Sequence, residues 1–300
     1  MERATVGQVN TVASDGASHR KQPPFRLCLN LATVAPLAFE SQVKVAARAG
    51  YGAVGLRLNA IQEYLSFGHS PHEIRALLHN SDLIVTEMNF FPDWIYTRSD
   101  AQEAMLERFK AFSQLSTSLG AECLNVSTQC DGIPDENLAK ENFRELCRIA
   151  AADGATVGLE FVPWSPIDTV KKAWSIIGGV DHPCGGLVFD IFHYFKGGSQ
   201  RGELKDVPLE KIFAVHLTDV READVDVATL CRNYRVLPGE GVFVFDEIID
   251  YFVQRGYDRY YALEILNKDC RADQCLGIAM RGKEVLENML MEATQRVEGA

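Results

Sequence analysis

From Phe25 onward, short apolar runs alternate with longer amphipathic stretches. The runs fall at about 26–32, 53–58, 83–89, 122–127, 156–162, 186–191, 212–217 and 260–266. Between and after them lie the stretches 36–49, 70–80, 100–119, 135–152, 167–178, 205–211, 243–255 and 279–293. Compact apolar runs predict strands, and apolar positions recurring every three to four residues predict helices. Gly50, Gly120 and Gly256 follow three of these stretches and predict helix ends. The sixth stretch, in ELKDVPLEKI, is short and charged, the weakest helix of the set. Eight strands alternating with eight helices predict a closed α/β barrel, (β/α)8. An open doubly wound sheet is the rival, but no GxGxxG follows the first strand and eight units close naturally. Residues 1–24 are polar and Ser/Gly-rich and predict a flexible tail, leaving 25–300 as one barrel domain.

Composition narrows the classes. Three hundred residues with 47% hydrophobic content supply a large core. A net charge of −11 argues against a nucleic-acid surface, which needs clustered Lys and Arg. No run approaches the ~18 apolar residues of a membrane span, and the N-terminus lacks the order of a secretory signal. Eight cysteines are scattered without a CxxC pair, which fits a reduced, cytoplasmic setting better than a structural zinc site.

Four polar residues punctuate the late strands: Glu160 in VGLEFV, Asp190 in GLVFDIF, His216 in IFAVHLTD and Glu264 in YYALEIL. Ionised groups in apolar surroundings are costly unless paired or bound to metal. They are assigned to strands five, six, seven and eight, each late in its strand, where barrels of this kind place their active sites. Parity supplies a second test, because residues i and i−2 share a face. Gly158, Val188, Ala214 and Ala262 precede the four by two positions, while Leu159, Phe161, Val215, Leu217, Leu263 and Ile265 occupy the opposite face. The pattern predicts small side chains beneath an inward-facing polar pocket. Singly, each acid has a bland reading as a helix cap or surface residue, and the imidazole as a satisfied core histidine. Together, on consecutive strands at one parity, they predict a mostly oxygen site for one divalent ion. Glu87, Asn89 and Trp94, assigned after strand three, are expected to line the same mouth, with core packing the alternative for Trp94. Pro163-Trp164 is expected to wall an apolar or ring-shaped part of a substrate. The aromatics Phe90, Phe91 and Trp94 are candidates for an exposed pairing surface of a homo-oligomer.

Over essentially Phe25 to Met289 the chain resembles the xylose-isomerase-like TIM barrels. LEFVPW around Glu160, FDIFH with Asp190 and His193, HLTD with His216, RVLPGEG at 235–241 and GYDRYYALEI carry the resemblance. It implies that Glu160, Asp190, His216 and Glu264 bind one Mn²⁺, Mg²⁺ or Co²⁺ ion. It also implies that His193 touches a substrate oxygen and that Arg235 binds a substrate hydroxyl, carboxylate or phosphate. Pro238-Gly239-Glu240-Gly241 is read as shaping a turn rather than cradling phosphate. The 3-epimerases of the superfamily carry a further substrate-binding Glu about two turns after the strand-five Glu, where this chain has PWSPID.

The resemblance implies metal-assisted enolisation of a carbohydrate-like polyhydroxy carbonyl compound, with Glu160 and Glu264 moving the proton. Return of the proton to carbon makes the protein an isomerase or epimerase, the leading expectation. Expulsion of a β-substituent makes it a dehydratase or lyase of the inosose, 3-dehydroshikimate or 3-keto-glycoside type. A nuclease resembling endonuclease IV is the remote alternative, and a non-catalytic binding barrel a third class that has no need of four ligands.

Overall fold

The structure, a computed structural model, describes residues 25–92, 94–95, 100–128 and 135–299, so the anticipated tail lies outside the described residues. The strands are β1 (Arg26–Asn30), β2 (Ala53–Arg57), β3 (Ile84–Phe91), β4 (Cys123–Ser127), β5 (Thr156–Glu160), β6 (Gly185–Asp190), β7 (Ile212–Leu217), β8 (Asp219–Val220), β9 (Arg235–Val236) and β10 (Tyr260–Leu263). All except β8 and β9 close into a parallel barrel, in which β10 pairs with both β7 and β1. The fold is the expected single (β/α)8 barrel. The short strands β8 and β9 form a separate antiparallel ribbon at the mouth.

The helices are α1 (Phe39–Arg48), α2 (Leu58–Ser66), α3 (Pro71–His79), α4 (Asp100–Ser118), α5 (Glu136–Ala152), α6 (Val170–Val180), α7 (Ile191–Lys196), α8 (Val227–Asn233), α9 (Asp246–Gln254) and α10 (Cys275–Glu298). Their apolar stripes meet the outward face of the strands in one cluster. Val43 of α1, Phe109 of α4, Phe143 of α5, Phe252 of α9 and Leu286 of α10 join Leu29, Leu124, Leu159, Val215 and Leu263 there. Each such side chain contributes about 1.5–3 kcal/mol on burial. The predicted ends at Gly50, Gly120 and Gly256 all have positive φ, the conformation that terminates a helix most cheaply at glycine.

Three local expectations give way. The stretch 205–211 is not an α-helix but parts of two 3-10 turns, Glu203–Asp206 and Leu209–Lys211, divided where Pro208 lacks an N–H. Between β2 and β3 the structure has two helices where periodicity predicted one, and the unforeseen α2 begins at the residue after β2. The supposed pairing surface is also interior: Trp94 is fully buried against Phe143 and Phe91 packs on Phe109 and Phe112. Phe90 lines the cavity at the mouth.

The inward face follows the parity rule. Val188 and Ala214 pack with Cys123 and Phe213, and Ala262 with Cys28 and Ala53. Gly158, beneath Glu160, leaves no room for a side chain, because a Cβ there would sit 2.5 Å from Val188 Cγ2.

Candidate metal centre

The four predicted residues converge. One atom from each of Glu160, Asp190, His216 and Glu264 lies within 4.8 Å of the corresponding atoms of the others. His216 Nδ1 stands 3.6 Å from Glu160 Oε1, 4.0 Å from Asp190 Oδ2 and 3.6 Å from Glu264 Oε2. His216 and Asp190 are fully buried and Glu160 is 8% exposed.

Each carboxylate is held by one oxygen and turns the other inward. Glu160 Oε2 accepts from Asn125 Nδ2 at 2.9 Å, and the same amide nitrogen donates to Asn89 Oδ1 at 2.7 Å. Glu264 Oε1 accepts from Asn30 Nδ2 at 2.8 Å. Asp190 ends β6 and starts α7, so its Oδ1 caps that helix, accepting from the backbone N–H of Phe192 and His193. The bland reading of Asp190 as a cap is thus true of one oxygen and leaves the other for the centre.

His216 is oriented in the same manner. Its Nε2 lies 2.9 Å from Glu87 Oε2, while buried Nδ1 has no hydrogen-bond partner. Burial alone would lower the pKa of His216. Glu87 first, then Glu160 and Glu264, outweigh it and raise the pKa well above the ordinary value. Glu87 therefore departs from its expected place at the mouth: it is 1% exposed and sits against the imidazole, not on the cavity wall. Gly55 makes space for it, since a Cβ there would meet Glu87 Oε1 at 2.7 Å. Trp94 likewise is core, not mouth, whereas Asn89 does line the cavity.

The arrangement fits a divalent cation. Three inward carboxylate oxygens and an orphaned buried imidazole nitrogen are a hard, oxygen-rich donor set. Ligand atoms about 2.0–2.2 Å from one ion lie roughly 3–4.4 Å apart, close to the spacings observed. Glu87 supplies the carboxylate that commonly fixes a metal-binding imidazole from behind.

Arg235 is not a solvated loop residue. It is 1% exposed in β9, donating from Nη1 to Asp190 Oδ2 at 2.8 Å and Glu264 Oε2 at 3.1 Å, with Phe192 beneath its plane. Burial opposes ionisation of Asp190, but Arg235 and then the two imidazoles hold its carboxyl below the usual carboxylate range. Glu264 is lowered in the same way, burial being outweighed by His216 and Arg235. His193 Nε2 lies 3.8 Å from Glu160 Oε1 and 3.9 Å from Asp190 Oδ2. Burial, only partly offset by Asp190 and Glu160, lowers the pKa of His193 and favours neutral imidazole. Above the quartet opens a cavity of about 680 Å³, walled by Trp164, His193 and Arg235. The edge of Trp164 meets His193 at 5.4 Å. The PGEG turn beside it is tied by Asp219, whose side chain accepts from the N–H of Gly239, Gly241 and Phe243.

Asn30 and Asn125 escaped the sequence reading. The parity rule reaches them: Asn30 ends β1 two residues after Cys28, and Asn125 stands two after Cys123. Uncharged amides merely lack the cost that made the quartet conspicuous.

A barrel closed by eight parallel strands, with an acidic and imidazole centre at their C-terminal ends, defines a class of metal-site enzyme folds. Within it, a profile of the xylose isomerase-like TIM barrel family matches residues 43–289, and the chain belongs to that family. It is 28% identical over 236 residues to the 3-dehydroshikimate dehydratase of Pseudomonas putida, covering 77% of this chain and 36% of that protein. The chain thus spans well under half the length of that relative. Its identity to the inosose isomerase of Halalkalibacterium halodurans is 25% over 263 residues, covering 82% of this chain and 89% of that one. A solved structure described as the IOLI protein with a bound zinc atom shares the fold at a TM-score of 0.80 and 21% identity, over 90% of this chain and 99% of its own. No helix among the described residues is long and apolar enough to cross a membrane.

Proposed function

We propose that the protein is a divalent-metal dehydratase that removes water from a cyclic polyhydroxy ketone by enolisation and loss of a β-hydroxyl. The observation that carries this reading is the quartet, with three inward oxygens and the orphaned His216 Nδ1 turned to one point beneath an open cavity. The zinc named for the IOLI protein supports an ion here, though Mn²⁺, Mg²⁺ and Co²⁺ suit the same donors. Isomerisation or epimerisation, the leading expectation from sequence, yields to elimination because 3-dehydroshikimate dehydratases share 28–29% identity with this chain against 25% for the inosose isomerase.

Glu160, Asp190, His216 and Glu264 would hold the ion, which when bound polarises the ketone oxygen and acidifies the adjacent C–H. Glu160 and Glu264, each anchored by an amide, are placed to take that proton. Arg235 sets Asp190 and Glu264 and presents positive charge to the enolate oxygen. His193, neutral by burial and beside Glu160, would take up the proton that Glu160 has removed from carbon and pass it to the β-hydroxyl, which leaves as water. Trp164 walls the ring and shields these groups from solvent.

Isomerisation is the second reading, favoured by the inosose isomerase, which matches 82% of this chain over 89% of its own length. The nuclease alternative gains nothing from the geometry: among the described residues the one metal-type cluster contains a single imidazole. The test is incubation of metal-loaded protein with 3-dehydroshikimate and with an inosose in D₂O. The expected result is an unsaturated product one water lighter, together with C–H exchange, both lost on chelation and in Glu264→Gln. An isomer of unchanged mass would return the reading to isomerase, and absence of exchange in every substrate would end the enolisation chemistry.

A further inference from the structure

The cavity wall carries more positive charge than elimination requires. Arg57, Arg232 and Lys268 line it beside Arg235, and its only acids among the described residues are Glu160 and Glu264, both directed at the centre. In a chain of net charge −11 this is a local reversal.

These cations differ in what already engages them. Lys268 pairs with Asp269 at 2.9 Å, and Arg232 stands over Trp164 at 5.3 Å. Arg57 has no ion pair and donates no hydrogen bond from its guanidinium to any described residue. It is nonetheless half-buried and aimed inward. Parity shows why. Arg57 ends β2 two residues after Gly55, whose missing Cβ faces Glu87 inside the barrel. Its side chain therefore leaves β2 on the interior face, one layer nearer the mouth. In the strand order β2 stands across the barrel from β6, the strand of Asp190. A molecule held by both must span the mouth, with one end at the quartet and the other at Arg57.

An Arg fork matches a carboxylate, and a half-buried guanidinium lacking a counter-ion gains most from one. The glycine-rich turn near the mouth offers little to a phosphate, because Asp219 already takes its N–H groups. We propose that Arg57 is a specificity-determining residue that binds a substrate carboxylate, so that the site selects an acidic cyclic hydroxy-ketone over a neutral one. This rests on the dehydratase reading for the other end of the substrate.

The test uses two non-reacting probes that share hydroxyls and ring but differ in charge: shikimate and its methyl ester. Calorimetry on the metal-loaded full chain should show the acid bound about tenfold or more tightly than the ester. Arg57→Gln should abolish that preference at unchanged metal content and melting temperature, and Arg57→Lys should restore part of it. Equal affinity of the wild type for both probes, binding of neither, or a preference that survives in Arg57→Gln overturns the proposal. Turnover separates it from the reaction itself. Dehydration of 3-dehydroshikimate with the same kcat/KM in wild type and Arg57→Gln would keep the dehydratase and remove Arg57. An Arg57-dependent preference without turnover of any hydroxy-ketone would keep Arg57 and remove the dehydratase.

Discussion

The late strands β5, β6, β7 and β10 and the early strands β1 to β4 contribute to one mouth in opposite ways. The late half sends ionisable groups to the centre, whereas the early half sends Asn30, Asn89, Asn125 and Glu87 to hold them. Three carboxylates brought together repel one another and do not orient themselves. The amides of Asn30 and Asn125 each fix one carboxylate oxygen without adding charge, Asn89 holds Asn125, and Glu87 fixes the imidazole by taking its outer nitrogen. Asp190 alone is held within the late half, by the N–H groups that open α7 and by Arg235, so the other three groups of the quartet depend on the early half for their orientation.

The sharpest way to break this comparison is to remove a ligand from the late half. His216→Ala deletes the sole nitrogen donor and leaves Glu87 buried without its partner. Metal affinity should fall by more than the roughly 10–100-fold that loss of an outer partner costs. Direct metal analysis after dialysis reads it, and full occupancy in the variant would mean that the quartet is not the site.

Next in size is Glu87→Gln, which tests the early half at one atom. The amide keeps the volume but loses the charge that faces His216 Nε2. Affinity for the ion should drop about 10–100-fold while all four ligands remain. Unchanged affinity would make Glu87 a packing residue and collapse the distinction between holders and bystanders.

Proton competition gives a third test. In the metal-free protein the surrounding carboxylates raise the pKa of His216, so an ion binding at Nδ1 must displace a proton. Asp190 and Glu264 are lowered and release none near neutrality. Affinity should therefore rise with pH, approaching about tenfold per unit below the raised pKa of His216. Calorimetry in two buffers of different ionisation enthalpy counts the proton, and a count of zero would place the ion elsewhere.

The late half was legible in the sequence for the same reason that it is chemically costly. Glu160, Asp190, His216 and Glu264 interrupt apolar runs, and an ion site is the cheapest explanation of four interruptions at one parity. The eight barrel strands were legible from the same runs. The early half was harder because Asn30 and Asn125 break no rule severely. Glu87 was noticed but placed at the mouth, since periodicity cannot say that its strand would bring it under β7. Trp94 left its expected place at the mouth because sequence does not show what covers a loop: it is buried against Phe143, while Arg235 is buried by its ion pairs and still lines the cavity.

The smallest expected effect sharpens the comparison most, because it separates holding the site from holding the fold. Gly55 and Gly158 both face the barrel interior, on β2 and β5. A Cβ at Gly55 would stand 2.7 Å from Glu87 Oε1 and 3.1 Å from its Cγ, so the flexible end of Glu87 must move aside. Gly55→Ala should weaken metal binding about two- to fivefold, less than removing the carboxylate charge, with little change in melting temperature. A Cβ at Gly158 would instead meet Val188 Cγ2 at 2.5 Å and Cys123 Sγ at 2.9 Å, both packed in the barrel core. Gly158→Ala should therefore cost about 1–3 kcal/mol of stability by overpacking. Paired melts and metal titrations of the two variants read the difference. If Gly55→Ala lowered stability and left the ion untouched, β2 would belong to the core alone and the early half would lose its part in the site.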